Sequence, residues 1–169
     1  MNNDTRELVI DGLLAAILIV FQVSLAQLTN IELVSLTVIL YTLVRGKRVL
    51  SILAVFVIME GILYGFGVWW IAYLYVWPLL AGLTWIWKKL HAPDWGYAVL
   101  SCLFGLSFGF LCSLPYLAGG PGAAFSWWIS GIPYDILHGI SNLVIALVLF
   151  RPFGKLLNLC SVCDFSEKE

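Results

Sequence analysis

"GIPYDILHGISNLVIALVLFRP", residues 131–152, has the length and apolarity of a membrane helix, yet it carries an acid, an imidazole and an amide at Asp135, His138 and Asn142. A helix advances about 100° per residue, so these three fall with Trp128 and Gly131 on one narrow stripe. The opposite face is Leu, Ile and Val. An ionisable side chain in hydrocarbon costs about 2.5 kcal/mol or more, so the stripe is expected to face a bundle interior or a wet cavity.

The rest of the chain supports the same setting. It has 169 residues, 62% hydrophobic and 11% charged, with a mean hydropathy of +0.97, which places it in a bilayer. Crossing about 30 Å of hydrocarbon takes about 20 helical residues, and fewer where neighbours shield the helix. Six apolar runs meet that need: Leu8 to Leu28, Ile31 to Val44, Val49 to Gly65, Trp70 to Trp87, Tyr97 to Leu117 and Trp127 to Phe150. The expected fold is all-α, a polytopic six-helix membrane domain over residues 1–158 with a tail over 159–169. No room remains for a separate soluble domain.

Orientation follows from the basic residues. Arg6, Arg45, Lys47, Arg48, Lys88, Lys89, Arg151, Lys155 and Lys168 all fall on one side of a six-span chain. The positive-inside rule makes that side cytoplasmic, with both termini inside and the stretches "QLTN", "GFGVWW" and "AGGPGAAFS" outside. A cleaved signal peptide is the rival for the N-terminus, since "SLA" before Gln27 resembles a cleavage site. The apolar run exceeds the length of a signal core, and Asp4, Glu7 and Asp11 dilute the positive start, so the first helix is expected to be retained.

Small residues and cysteines punctuate the helices. Ser101, Gly105, Gly109 and Ser113 recur every fourth residue in the fifth run, a row that lets another helix approach closely. Gly12 and Ala16 make a shorter pair of the same kind beside Asp11; spacing alone favours internal packing there over a docking face. Pro78 lies inside the fourth run and is expected to kink it or free a carbonyl. Cys102 and Cys112 read as small apolar residues, and a lone Cys160-x-x-Cys163 without a second pair or a His is no metal motif.

Beyond the stripe, Glu60 is the other acid at membrane depth, with Tyr64 one turn away. Glu32 sits at the outer start of the second run, where it is expected to reach water. For Asp135 and His138 two readings stand: a self-satisfying structural pair, or ligand contacts. Aromatic residues crowd the outer half, and a belt at the interface accounts for part of them. Trp70, Tyr73, Trp77 and Trp128 share that half with Glu60 and Asp135 and suit stacking on a planar or cationic ligand. No Lys or Arg lies outside, which argues against an anionic one.

Enzymatic motifs are missing from the sequence: there is no GxSxG, HExxH, Walker A or cofactor fingerprint. Ser130 and His138, eight residues apart on one helix, diverge by about 80° and would not meet as nucleophile and base. The chain is expected to be no enzyme, to hold no cofactor or metal, and to take energy for any uphill transport from an ion or a partner. A stand-alone proton- or cation-coupled carrier, with Glu60, Asp135 and His138 as a relay, is one such arrangement.

Six short helices, the Gly12/Ala16 pair and the closing helix "GIPYDILHGISNLVIALVLFRPFGKLL" resemble the substrate-binding S component of energy-coupling factor (ECF) vitamin transporters. The resemblance covers nearly the whole chain. It implies a multi-pass protein of the bacterial cell membrane that captures a micronutrient outside and topples in the membrane while docked on an ECF T subunit driven by two cytosolic ATPase subunits. It maps T-subunit docking onto Gly12 and Ala16. It places substrate among the outer halves of the later helices, at Glu60, Tyr64, Trp70, Tyr73, Trp77, Trp128, Asp135, His138 and Asn142. Charge favours a thiamine-like cation, an aminomethyl-bearing base such as a queuosine precursor, or a neutral heterocycle. Lipid, this micronutrient and the ECF subunits are the expected partners, with no nucleic acid among them.

Overall fold

A computed structural model describes residues 3–28 and 30–159. The Cys160/Cys163 pair and the rest of the tail lie outside the described residues. Six α-helices follow one another: α1 (Asn3–Leu25), α2 (Val34–Arg45), α3 (Val49–Tyr64), α4 (Val68–Lys89), α5 (Asp94–Ser113) and α6 (Pro121–Leu159). Short 3-10 turns, Gly46–Arg48 and Leu114–Gly119, join α2 to α3 and α5 to α6. No strand occurs among the described residues.

Four segments are long and apolar enough to cross a membrane: Asp4–Leu25, Val68–Lys89, Asp94–Gly119 and Pro121–Leu157. The other two helices are shorter. α2 has 12 residues, a rise of about 18 Å, and α3 has 16, about 24 Å. Every residue of α2 from Val34 to Thr42 is buried. A helix buried on all sides lies in the middle of a bundle, packed by its neighbours. Thr37 and Thr42 sit in that core by donating their hydroxyls to the carbonyls of Leu33 and Val38.

Helix ends differ from the sequence expectation in one instructive place. The run "AGGPGAAFS" was expected as an outer loop, whereas Pro121 opens α6 and carries Gly122 to Ser126 into the helix. Proline suits a first helical position, where its missing N–H would have had no partner. Gly120 makes the entry, with φ of +99°, a backbone conformation that glycine adopts without steric cost. α4 continues through Pro78 as one helix.

Polar contacts of the basic residues tie helix ends together. Arg45 bonds both Glu7 and Asp11 at 2.6 Å, joining the start of α1 to the end of α2. Lys88 donates to the carbonyl of Leu43, and Arg151 pairs with Asp94 at 2.9 Å. α5 and α6 form the closest helix pair. A methyl group placed on Gly105 would stand 2.9 Å from the backbone nitrogen of Gly139, and one on Gly139 would meet Leu106 and the Cys102 carbonyl. The small-residue row of α5 is therefore a packing face, as its spacing suggested.

Aromatic rings fill the interior. Trp77 is 2% exposed and is ringed by Phe56, Tyr73, Phe104 and Phe108 at centroid separations of 5.4–6.0 Å. On α6, Asp135, His138, Asn142, Ala146 and Phe150 are buried while Ile136, Ile140, Val144 and Leu147 are exposed. That apolar outer face suits lipid, since in water it would be a large unprotected patch.

Candidate functional site

Two adjoining cavities lie at the end of the bundle away from the basic residues. The narrower, of about 310 Å³, is walled by Tyr73 and Trp77 of α4, Phe108 of α5 and His138 of α6, and bordered by the end of α1 and the α1–α2 connection. The wider, of about 620 Å³, runs along the first turns of α6 past Ser126, Ser130, Tyr134 and Asp135. Phe108 and Asn30 border both. No Lys or Arg lines either cavity.

The α1–α2 connection is held onto α6 by specific bonds. Asn30 adopts a φ of +55°, a left-handed conformation that Asn tolerates better than most residues. Its Nδ2 donates to the carbonyl of Tyr134 at 2.9 Å, and its own carbonyl accepts the Ser141 hydroxyl at 2.7 Å. Glu32 Oε1 lies 3.2 Å from His138 Nε2. The imidazole N–H is the donor there, because an ionised carboxylate only accepts. Glu32 Oε2 accepts the backbone N–H of Ser35 at 2.8 Å, satisfying one of the free donors at the start of α2.

This placement corrects the expectation that Glu32 reaches water: its side chain is only 14% exposed. It also separates Asp135 from His138. Asp135 Oδ1 accepts the backbone N–H of Gly109 at 2.9 Å, so each takes its partner from another element and they form no structural couple. Glu32→Ala would strip acceptors from His138 and from the N–H of Ser35, and is expected to cost about 2 kcal/mol. Thermal unfolding in detergent measures it, and an unchanged midpoint would show that the carboxylate holds nothing.

Tyr73, Trp77 and His138 line the narrower cavity and Asp135 the wider. The other candidates lie outside both. Glu60 is buried on α3 with Oε1 unpartnered. Tyr64 is 50% exposed. Trp70 donates its indole N–H to the Val57 carbonyl at 2.8 Å and packs on Phe66. Trp128 packs on Phe110 and Phe125. Asn142 reaches the Ser101 carbonyl at 3.5 Å, tying α6 to α5. Asn30, Glu32 and Phe108 are among the cavity residues that sequence reasoning missed; the polar cluster "QLTNIE" between two apolar runs was the available signal for the first two.

Among the described residues no three His, Cys, Asp or Glu side chains converge as a metal-binding group. On α1, Gly12 and Ala16 are exposed, a methyl on Gly12 would meet nothing within 4 Å, and Ala15 is fully buried. The internal-packing reading of Gly12 and Ala16 is thereby overturned, and the pair forms a shallow outward patch. No family model, curated protein or solved structure is significantly similar to the chain.

Proposed function

We propose that the chain is the substrate-capture subunit of an ECF-type importer, a six-span protein of the bacterial cell membrane with both termini in the cytoplasm. α2 and α3 serve as short spans shielded by their neighbours, and the basic end faces inward. The site binds without performing chemistry. Its ligand is a small neutral or cationic micronutrient taken from outside, and the outward patch at Gly12 and Ala16 is the face offered to a T subunit with its two ATPases.

One observation carries this reading: a cavity at the end without cations, walled by Tyr73, Trp77 and Phe108, and roofed by a connection bonded to α6. A half-open cleft with aromatic walls and a few polar groups is a form that small-molecule recognition takes.

Glu60 favours a second reading. A carboxylate that is 2% exposed, lacks a partner at Oε1 and lies outside both cavities is what an ion-coupled carrier would use. Native mass spectrometry of the gently solubilised chain tests capture directly: a retained small molecule is expected. Uptake into proteoliposomes separates the two readings. Transport that requires T subunit, ATPases and ATP supports the importer; transport by this chain alone, driven by an ion gradient, replaces it with the carrier.

A further inference from the structure

A third cavity, a groove of about 260 Å³, lies apart from the two described above, between the start of α5 and the later turns of α6. Asp94 and Trp95 line it from α5, and Leu147, Phe150 and Arg151 from α6. We infer that this groove seats one phospholipid whose headgroup carries a primary ammonium, phosphatidylethanolamine, with the phosphate on Arg151 and the ammonium on Asp94.

Depth comes first. α5 has 20 residues, a rise of about 30 Å, which is the thickness of one hydrocarbon core. Asp94 is its first residue, so in a bilayer it stands where hydrocarbon gives way to headgroups. Arg151 bonds it at 2.9 Å and stands at the same level. Trp95 beside them is 64% exposed, as a ring anchored among headgroups would be. One turn deeper on α6, Leu147 is also exposed and continues the groove as a track for an acyl chain.

Charge then selects the headgroup. The Arg151 and Asp94 side chains are 78% and 53% exposed, and such an exposed pair contributes little to stability by itself. Among the described residues, the bond from Arg151 Nε to Asp94 Oδ2 is the one side-chain bond that either makes. The two terminal nitrogens of Arg151 are left to donate to a phosphate, the anion that a guanidinium fork fits. Asp94 Oδ1 is left to accept from a cation.

A zwitterion with an ammonium beside its phosphate meets both demands. Phosphatidylglycerol would gain Arg151 but bring its negative charge against Asp94 without a cation to answer it. Phosphatidylcholine has the cation but no N–H to donate. Lys155, one turn beyond Arg151 on α6, does not line the groove, so the carboxylate there is not outnumbered. The inference is independent of what the outer cavities capture.

The delipidated full chain in detergent is titrated with phosphatidylethanolamine, phosphatidylcholine and phosphatidylglycerol of identical acyl chains, and adducts are counted by native mass spectrometry. Phosphatidylethanolamine is expected to saturate at one per chain and to bind about fivefold tighter than either of the others, the worth of one modest bond. Asp94→Asn should bring it level with phosphatidylcholine. Arg151→Gln should weaken all three, and Leu147→Trp, which fills the groove from an exposed position, should remove the saturable adduct. Thermal melts show that each variant is folded.

Unsaturable adducts without preference among the three lipids would mean an ordinary lipid annulus and overturn the inference. So would a folded Asp94→Asn protein that keeps the preference, or one with Arg151→Gln that binds phosphatidylethanolamine as the wild type does. A micronutrient retained in the outer cavities leaves these outcomes untouched, so capture and lipid site stand or fall separately.

Discussion

Gly105→Leu is expected to abolish recovery of monodisperse protein, and Gly105→Ala to lower stability by about 1–3 kcal/mol, the usual cost of overpacking. Even the alanine methyl would lie 2.9–3.0 Å from backbone atoms of His138 and Gly139. A flexible side chain could yield at that distance; a helix backbone can yield only by moving α6 away from α5. In lipid, close contact is itself the driving force for association, so separating the helices forfeits attraction along the whole seam. Asp135, Asn142 and Ser101 share that seam. The displacement would therefore also carry the carboxylate off the Gly109 N–H. Size-exclusion profiles and thermal melts of the two variants give the answer, and wild-type behaviour of Gly105→Leu would mean that the helices are not in contact there.

Arg45→Ala is expected to cost about 3 kcal/mol, the range seen when one member of a buried ion pair is removed. The Arg45 side chain is 6% exposed, with Asp11 at 10% and Glu7 at 27%. Losing the guanidinium leaves the buried Asp11 with only Arg48, whose nitrogen is 3.4 Å away on a side chain 49% exposed. Arg48→Ala is the contrasting control and should change stability by less than about 1 kcal/mol, as exposed pairs do. Chemical denaturation of both, with the Arg45→Ala/Asp11→Asn double variant to complete a cycle, isolates the coupling. Equal effects of Arg45→Ala and Arg48→Ala would refute the assignment of Arg45 as the tie between α1 and α2.

Periodicity made the helices and the polar stripe of α6 readable, because burial and spacing obey the same 3.6-residue geometry. Asp135, His138 and Asn142 are all buried. The row Ser101, Gly105, Gly109 and Ser113 was equally legible, since small residues at every fourth position have few uses other than close approach. What escaped was tertiary. Glu32 stands 106 residues from His138 in the chain, and nothing local distinguishes an acid that meets a histidine from one that meets water. Trp70 and Trp128 looked like cavity walls because sequence assigns depth but not azimuth between helices; their rings turned to Phe66 and to Phe110 instead. "AGGPGAAFS" misled for a different reason. Glycines penalise a helix by about 1 kcal/mol each, a small debt beside the pairing of a whole helix with α5.

Glu32 bonds His138 of α6 and the N–H of Ser35 with one carboxylate, so the start of α2 and the connection before it are tied to α6 through the same side chain. Lifting the connection off α6 breaks the Asn30–Tyr134, Ser141–Asn30 and Glu32–His138 bonds together. At about 1 kcal/mol each, three bonds hold the open form to roughly one per cent of molecules. If the chain captures a ligand as proposed, entry would wait on this opening and not on the arrival of ligand. Observed association rates should climb with ligand concentration and level off at the opening rate, and Asn30→Ala should raise that plateau.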